Sequence, residues 1–219
     1  TANHYVPELR AKGADLVVKA THKHSFLQTF IFTPTDWHLL RKCPCPVLLV
    51  KEGHWQRGGN IIAAINCSSD DLEQKVLNER ITREGVAIAD LLGSNLYLVN
   101  TYPGTPVNVA IELPEFDPNA YNDAIRKHHE DLLREHADHF GINHMWTKVA
   151  EGLPEEVLPD MADELKATLM IMGCVGRTGL SAALLGNTAE HVVDRLNCDI
   201  LILKPDDYSC PVDDKRHPA

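Results

Sequence analysis

With 219 residues the chain exceeds one small domain, and a prior of roughly 150 residues per domain allows one large domain or one and a half. Hydrophobic residues make up 44% and charged residues 24%, an ordinary balance for a packed soluble protein, and no run approaches the ~18 apolar residues of a membrane helix. A net charge of −10 without a Lys/Arg cluster argues against nucleic acid or an acidic membrane surface as partner, because their phosphates need basic groups to neutralise them.

The chain opens Thr1-Ala2-Asn3-His4, with no charged segment followed by an apolar core, so no secretory signal is read and a cytoplasmic protein is expected. Residues 14–51 read strand, loop, helix, strand. They can be laid without a gap on residues 167–204, so that Ala14 meets Ala167, Leu16 meets Leu169, Thr35 meets Thr188, His38 meets His191, Cys45 meets Cys198, Leu48 meets Leu201 and Lys51 meets Lys204. The apolar runs coincide as well. Because such a segment cannot close a sheet alone, the chain is expected to be a fragment. Residues 1–58 then form the C-terminal part of a first domain with a linker containing Gly53 and Gly58, residues 59–207 a complete second domain, and 208–219 a tail.

From residue 60 onward, strand patterns at 60–65, 95–100, 145–150, 168–172 and 199–204 alternate with four amphipathic stretches, the pattern of a parallel sheet covered by helices. The first helix is expected to start near Ser68 or Ser69 and to end at Gly93. A long connection with Pro103, Pro106, Pro114 and Pro118 precedes the second helix, 119–140, which Gly141 stops. Residues 107–111 within that connection read equally as a flap over a pocket or as a docking surface. The third helix begins at Gly152-Leu153-Pro154. The six cysteines lack zinc-site spacing and read as reduced structural thiols, Cys43-Pro44-Cys45 included.

After the fourth strand comes Gly173-Cys174-Val175-Gly176-Arg177-Thr178-Gly179, and later Gly186-Asn187-Thr188 opens a helix, a G-x2-G-x9-G-N-T spacing. A loop at the carboxyl end of a parallel strand is where open α/β sheets bind ligands, and glycine lets backbone amides approach phosphate oxygens. Gly186, Asn187 and Thr188 would present amides at a helix N-terminus, and Arg177 or Thr178 could add a charge or a hydroxyl. Without a P-loop lysine the glycines could instead serve only a tight turn.

At this motif the chain resembles the universal stress protein family, whose ATP-binding members carry G-x2-G-x9-G before a small polar residue. The resemblance runs from Asn60 to Lys204, and the tandem arrangement resembles the family's two-copy members. It implies an open five-stranded parallel sheet of order 3-2-1-4-5 with helices on both faces. It also implies ATP or a related adenine nucleotide near the ends of the first and fourth strands, with phosphates on the glycine loop. The site residues it implies are Asn66, Ser68, Gly173, Gly176, Arg177, Gly186, Asn187 and Thr188. The family's V-D-x-S at the end of the first strand stands here as Ile65-Asn66-Cys67-Ser68, so a neutral amide replaces the aspartate at the adenine end. In the first copy Ala20, Lys23 and Thr33 occupy the glycine positions, so no nucleotide is expected there. His22, Lys23 and His24 read as a solvated basic loop or a weak anion site. The family also implies a homodimer or an inter-domain pairing through the last strands.

His128, His129, His136 and His139 fall on the second helix and read as a solvated face, since no compact Cys or carboxylate set completes a metal site. No nucleophile elbow, triad or paired-carboxylate motif is visible, so catalysis is not expected beyond slow ATP hydrolysis. Two functions compete. One is a stress-response protein whose nucleotide occupancy biases conformation or partner binding; the other is a non-enzymatic module for an apolar ligand or a protein, with a merely structural glycine loop.

Overall fold

The apolar runs become strands of one twisted sheet. The computed structural model describes residues 13–23, 30–31, 33–43, 45–51, 55, 57–104, 117–174 and 187–205. In chain order these form β1 (Val17–Ala20), β2 (His22–Lys23), β3 (Phe30–Ile31), α1 (Pro34–Lys42), β4 (Val47–Val50), β5 (Asn60–Ala64) and α2 (Leu72–Leu92). There follow β6 (Asn95–Tyr102), α3 (Pro118–His139), a 3-10 turn (His144–Trp146), β7 (Thr147–Glu151), α4 (Pro154–Glu164), β8 (Ala167–Gly173), α5 (Asn187–Arg195) and β9 (Asp199–Leu203). The sheet order is β1-β4-β9-β8-β5-β6-β7, with β2 and β3 as a separate antiparallel pair.

From β5 onward the order is the expected 3-2-1-4-5, and every pairing among these five strands is parallel. Side chains alternate across each strand, so both faces are apolar and both carry helices. Ile62, Met170, Met172, Ile200 and Ile202 pack with Leu40 of α1, Leu158 of α4 and Val192 of α5. Ile61, Ala63, Leu98, Leu169, Ile171 and Leu203 pack with Leu77 and Ile81 of α2 and Leu133 of α3.

Local chemistry moved some boundaries. α2 starts at Leu72 rather than at Ser68 or Ser69, because Asp71 is the N-cap and accepts from the Glu73 amide at 3.0 Å. β7 starts at Thr147 rather than 145, because Asn143 accepts from the Met145 amide at 2.9 Å and caps a 3-10 turn there. Gly93 ends α2 with φ 61°, as expected for a left-handed C-cap. Inside α4, Pro159 has no N–H for the carbonyl of Glu155; Arg195 Nη1 donates to that oxygen instead, at 2.8 Å.

The first segment joins the same sheet. β1 pairs parallel with β4 as Val17–Val47, Val18–Leu48, Lys19–Leu49 and Ala20–Val50, while β8 pairs with β9 as Met170–Ile200, Ile171–Leu201, Met172–Ile202 and Gly173–Leu203. The two registers coincide under the alignment that lays Ala14 on Ala167. β4 and β9 then pair antiparallel as Val47–Ile202, Leu48–Leu201 and Leu49–Ile200, an isologous arrangement with its pseudo-twofold at Leu48–Leu201. The outer edge of β9 is thereby occupied within the chain. Among the described residues no helix covers the face of β1 that α2 and α3 cover elsewhere, and Val18 is 59% exposed and Leu16, just before the strand, 45%.

Two buried lysines stitch the seam crosswise. Lys51, after β4, donates through Nζ to the carbonyl of Leu196 at the end of α5, and Lys204, after β9, donates to the carbonyl of Arg41 in the last turn of α1 at 2.9 Å. Each places a cation at the negative end of a helix in the other segment. Burial pulls the Lys51 ammonium down to about 8, and it pushes the thiols of Cys43, Cys67 and Cys198 up to about 12. Below about pH 8 Lys51 is charged in both states and its burial opposes folding; between about 8 and 10.5 the unfolded chain alone holds that proton, so stability rises by about 1 kcal/mol per pH unit. The three thiols act oppositely, since above about pH 9 only the unfolded chain ionises them, and stability is lost up to about 12. Urea titrations across this range are expected to give a maximum near pH 9, and Lys51→Met is expected to remove the rising limb.

Candidate functional site

A cavity of about 470 Å³ opens at the carboxyl ends of β5, β6 and β8, where the strand order reverses between β5 and β8. Asn66, Ser68 and Gln74, from the β5–α2 region, border it, as do Thr101 and Pro103 from the end of β6 and Gly152, Leu153 and Pro154 where β7 leads into α4. Met172, Gly173 and Cys174 at the end of β8, with Ala189 in the first turn of α5, complete it.

A buried polar network shapes the β5–α2 side. Asn78 of α2 is 3% exposed; its side-chain oxygen accepts from the Asn66 amide at 3.1 Å and from Gln74 Nε2 at 2.8 Å, while its Nδ2 donates to the Asn66 carbonyl at 2.7 Å. One side chain thus satisfies both backbone groups of Asn66. The next amide, Cys67, donates to Oδ1 of buried Asn100 at 3.1 Å, and Asn100 Nδ2 faces Nδ1 of buried His129 at 2.9 Å. The His129 ring stacks on Tyr102, centroids 5.1 Å apart. Asn66 and Ser68 themselves are exposed, and the Ser68 hydroxyl donates to Asn66 Oδ1 at 3.0 Å.

Of the residues expected from sequence, Asn66, Ser68 and Gly173 line the cavity. Asn187 and Thr188 open α5, whose first turn borders it through Ala189. Gly176, Arg177 and Gly186 lie outside the described residues, as do residues 107–111 and His24. Gly173 also has a packing reason: a Cβ there would lie 2.4 Å from Leu77 Cδ2. Gly152 adopts φ 134° and turns the chain from β7 into α4 beside the cavity.

The network was missed. Asn100 lies within the apolar strand β6 and Asn78 sits on the inward face of an amphipathic helix, and a polar residue at a core position was the signal available. The four histidines are not one solvated face. His129 is 7% exposed, and His136 Nε2 lies 2.8 Å from Thr82 Oγ1. Desolvation lowers the basicity of both. The thiol of Cys67, held near 12, is no nucleophile at neutral pH. Among the described residues no helix is long and apolar enough to cross a membrane.

Residues 7–51 and 73–204 match the model of the universal stress protein family. Universal stress protein E of Escherichia coli strain K12 is 50% identical over 209 residues, which is 95% of this chain and 66% of that protein. The universal stress protein E homolog of Haemophilus influenzae is 47% identical over 199 residues, 90% of this chain and 64% of that one. This chain therefore spans just under two thirds of the length of these relatives. Among solved structures, a functionally unknown protein from Pseudomonas aeruginosa PAO1 matches with TM-score 0.78 and 32% identity, over 95% of this chain and 69% of that chain. A universal stress protein from Archaeoglobus fulgidus, TM-score 0.58 at 15% identity over 93% of this chain and 66% of that chain, shares the fold. Because the family match takes in the β1–α1–β4 segment as well as α2 to β9, and so most of the chain, the chain belongs to the universal stress protein family.

Proposed function

We propose that the cavity binds ATP or a related adenine nucleotide, with the base beside Asn66 and Ser68 and the phosphates toward Gly173 and the N-terminus of α5. The observation that carries this reading is one cavity bordered both by the end of β5 and by the first turn of α5, although these segments are more than a hundred residues apart in sequence. Asn66 would donate or accept a hydrogen bond at the base without the charge of an aspartate. The amides that open α5 would meet an anion with the favourable end of the helix dipole. Gly176, Arg177 and Gly186 belong to the same proposed phosphate loop. Occupancy would act by linkage, shifting conformation or partner binding through differential affinity without turnover.

We read residues 1–58 as the C-terminal part of a first copy with its linker, residues 59–207 as a complete second copy, and 208–219 as a tail. The equal strand registers support this division. In this reading a cytoplasmic protein uses the outer edge of β9 for its own first copy, which favours inter-domain pairing over a homodimer through that strand.

Equilibrium binding of labelled ATP to the chain tests the proposal. Saturable binding that Gly176→Arg abolishes is expected; no saturation at millimolar ligand removes the nucleotide reading. A second reading has its own observation, because Ile65, Val99, Leu153, Leu158 and Met172 give the cavity an apolar lining. An apolar ligand or a protein segment would suit it, and that reading wins if Gly176→Arg leaves ligand binding untouched while changes in 107–111 abolish it.

A further inference from the structure

His129 is a buried titratable group, joined through Asn100 to the segment that borders the cavity, and the nucleotide reading leaves it without a task. Its surroundings determine where its protons can be. The Cys67 amide can only donate, so the Asn100 atom it meets at 3.1 Å must be the oxygen. The amide group of Asn100 then turns its NH2 to His129, and Nδ1 of His129, 2.9 Å away, must accept. The ring is therefore neutral with its proton on Nε2. Once Nδ1 is protonated, two donors face each other. Turning the Asn100 amide over would only move the conflict to the Cys67 N–H, since Asn100 is 0% exposed and no third orientation serves both neighbours.

We propose that His129 is a positioning residue of the cavity: through Asn100 it holds the segment Asn66–Ser68 in place, and protonation of its Nδ1 releases that segment and weakens ligand binding. The part concerning ligand rests on the nucleotide reading; the coupling of His129 to Cys67 does not.

The groups around the ring favour the neutral form. Tyr102 of β6 stacks on it, and His128 on the same helix has its centroid 5.9 Å away. Desolvation and then His128 both lower its basicity. Around Tyr102 lie Glu151 of β7 and Arg126, Glu130 and Asp123 of α3, charges of both signs. On the α2 side Glu79 acts on His136, two turns further along α3, and the thiol of Cys67 stays neutral.

The test has two arms. In the first, without ligand, the 15N shifts of the His129 ring and the Cys67 amide are followed by NMR from about pH 8 to about pH 5, the range in which imidazole titrates. An Nε2–H ring at the upper end and a Cys67 amide that moves with the ring's midpoint are expected. A ring with its proton on Nδ1 at the upper end, or a Cys67 amide indifferent to the titration, overturns the proposal. In the second arm, labelled ATP binding is compared at about pH 8 and about pH 5.5 for the unaltered chain and His129→Gln, whose amide oxygen can accept from Asn100 at either pH. The comparison cancels the titration of the nucleotide itself. Loss of one buried hydrogen bond predicts about tenfold more weakening at low pH for the unaltered chain than for the variant. Equal pH dependence overturns the role in binding. Absence of ATP binding at both pH values, with the first arm satisfied, removes the nucleotide reading and leaves the coupling standing.

Discussion

Leu49→Ala is expected to lower the unfolding free energy by about 3–5 kcal/mol, the usual cost of emptying a fully buried leucine site. Leu49 is 0% exposed in the middle of β4, opposite Ile200 across the seam and beside Lys19 on β1. Its side chain packs in the cluster that also holds Leu40, Val47, Val192 and Ile202, which come from both halves of the pseudo-twofold. The surrounding backbone is hydrogen-bonded on both sides in the ladder, so the site collapses little and the cavity term stays near its full size. Val18→Ala, at an exposed position of β1, is expected to change stability by less than about 0.5 kcal/mol. Urea unfolding of the two variants checks this; equal midpoints would mean that the β4–β9 seam contributes nothing to the folded state in solution.

Asn78→Leu is the second large effect. It removes the oxygen that receives the Asn66 amide and the NH2 that serves the Asn66 carbonyl, while filling a similar volume. Two backbone groups then lose their partner, at about 1–3 kcal/mol for each that water cannot reach. Because Asn66 is exposed, water recovers part of this, and a net loss of about 2 kcal/mol is expected. Binding to the cavity should fall further than stability does, since Asn66 and Ser68 lose the anchor that places them. Thermal unfolding and ATP binding measured on the same preparation separate the two effects. Unchanged midpoint and affinity together would show that Asn78 does not hold this segment.

The pH maximum near 9 and the Lys51→Met variant address the seam from another side. Lys51 and Lys204 make crossed contacts with helix ends, and Asp199 Oδ1 accepts from the Lys51 amide at 2.7 Å while Trp55 Nε1 donates to Asp199 Oδ2. The chain between the two segments is thus tied to the start of β9.

Much of this architecture was readable without coordinates. Periodicity alone separates β5, β6, β8 and β9 from the helices between them, because a strand buried on both faces is a short continuous apolar run and its crossover helix is not. That the sheet is parallel then follows from the long helical connections, whereas the order 3-2-1-4-5 is what the resemblance to the family implies. The cavity was legible in part: Asn66, Ser68 and Gly173 stand at strand ends, and strand ends are where such sheets bind. Boundaries were less legible, since whether Ser69 or Asp71 caps α2 depends on small differences in local geometry among several competent residues.

What the amino-acid order determines by itself is therefore local and periodic: which runs are strands, which stretches between them are helices, and that residues 14–51 repeat the pattern of 167–204. Only the tertiary structure decides what those elements meet. It seats β4 antiparallel against β9, it turns Asn78, Asn100 and His129 into one network, and it gives Gly173 a neighbour in Leu77. The physical reason is that edge pairing, side-chain hydrogen bonds and close packing each need two partners distant in sequence. No period in a single segment encodes the identity of the second.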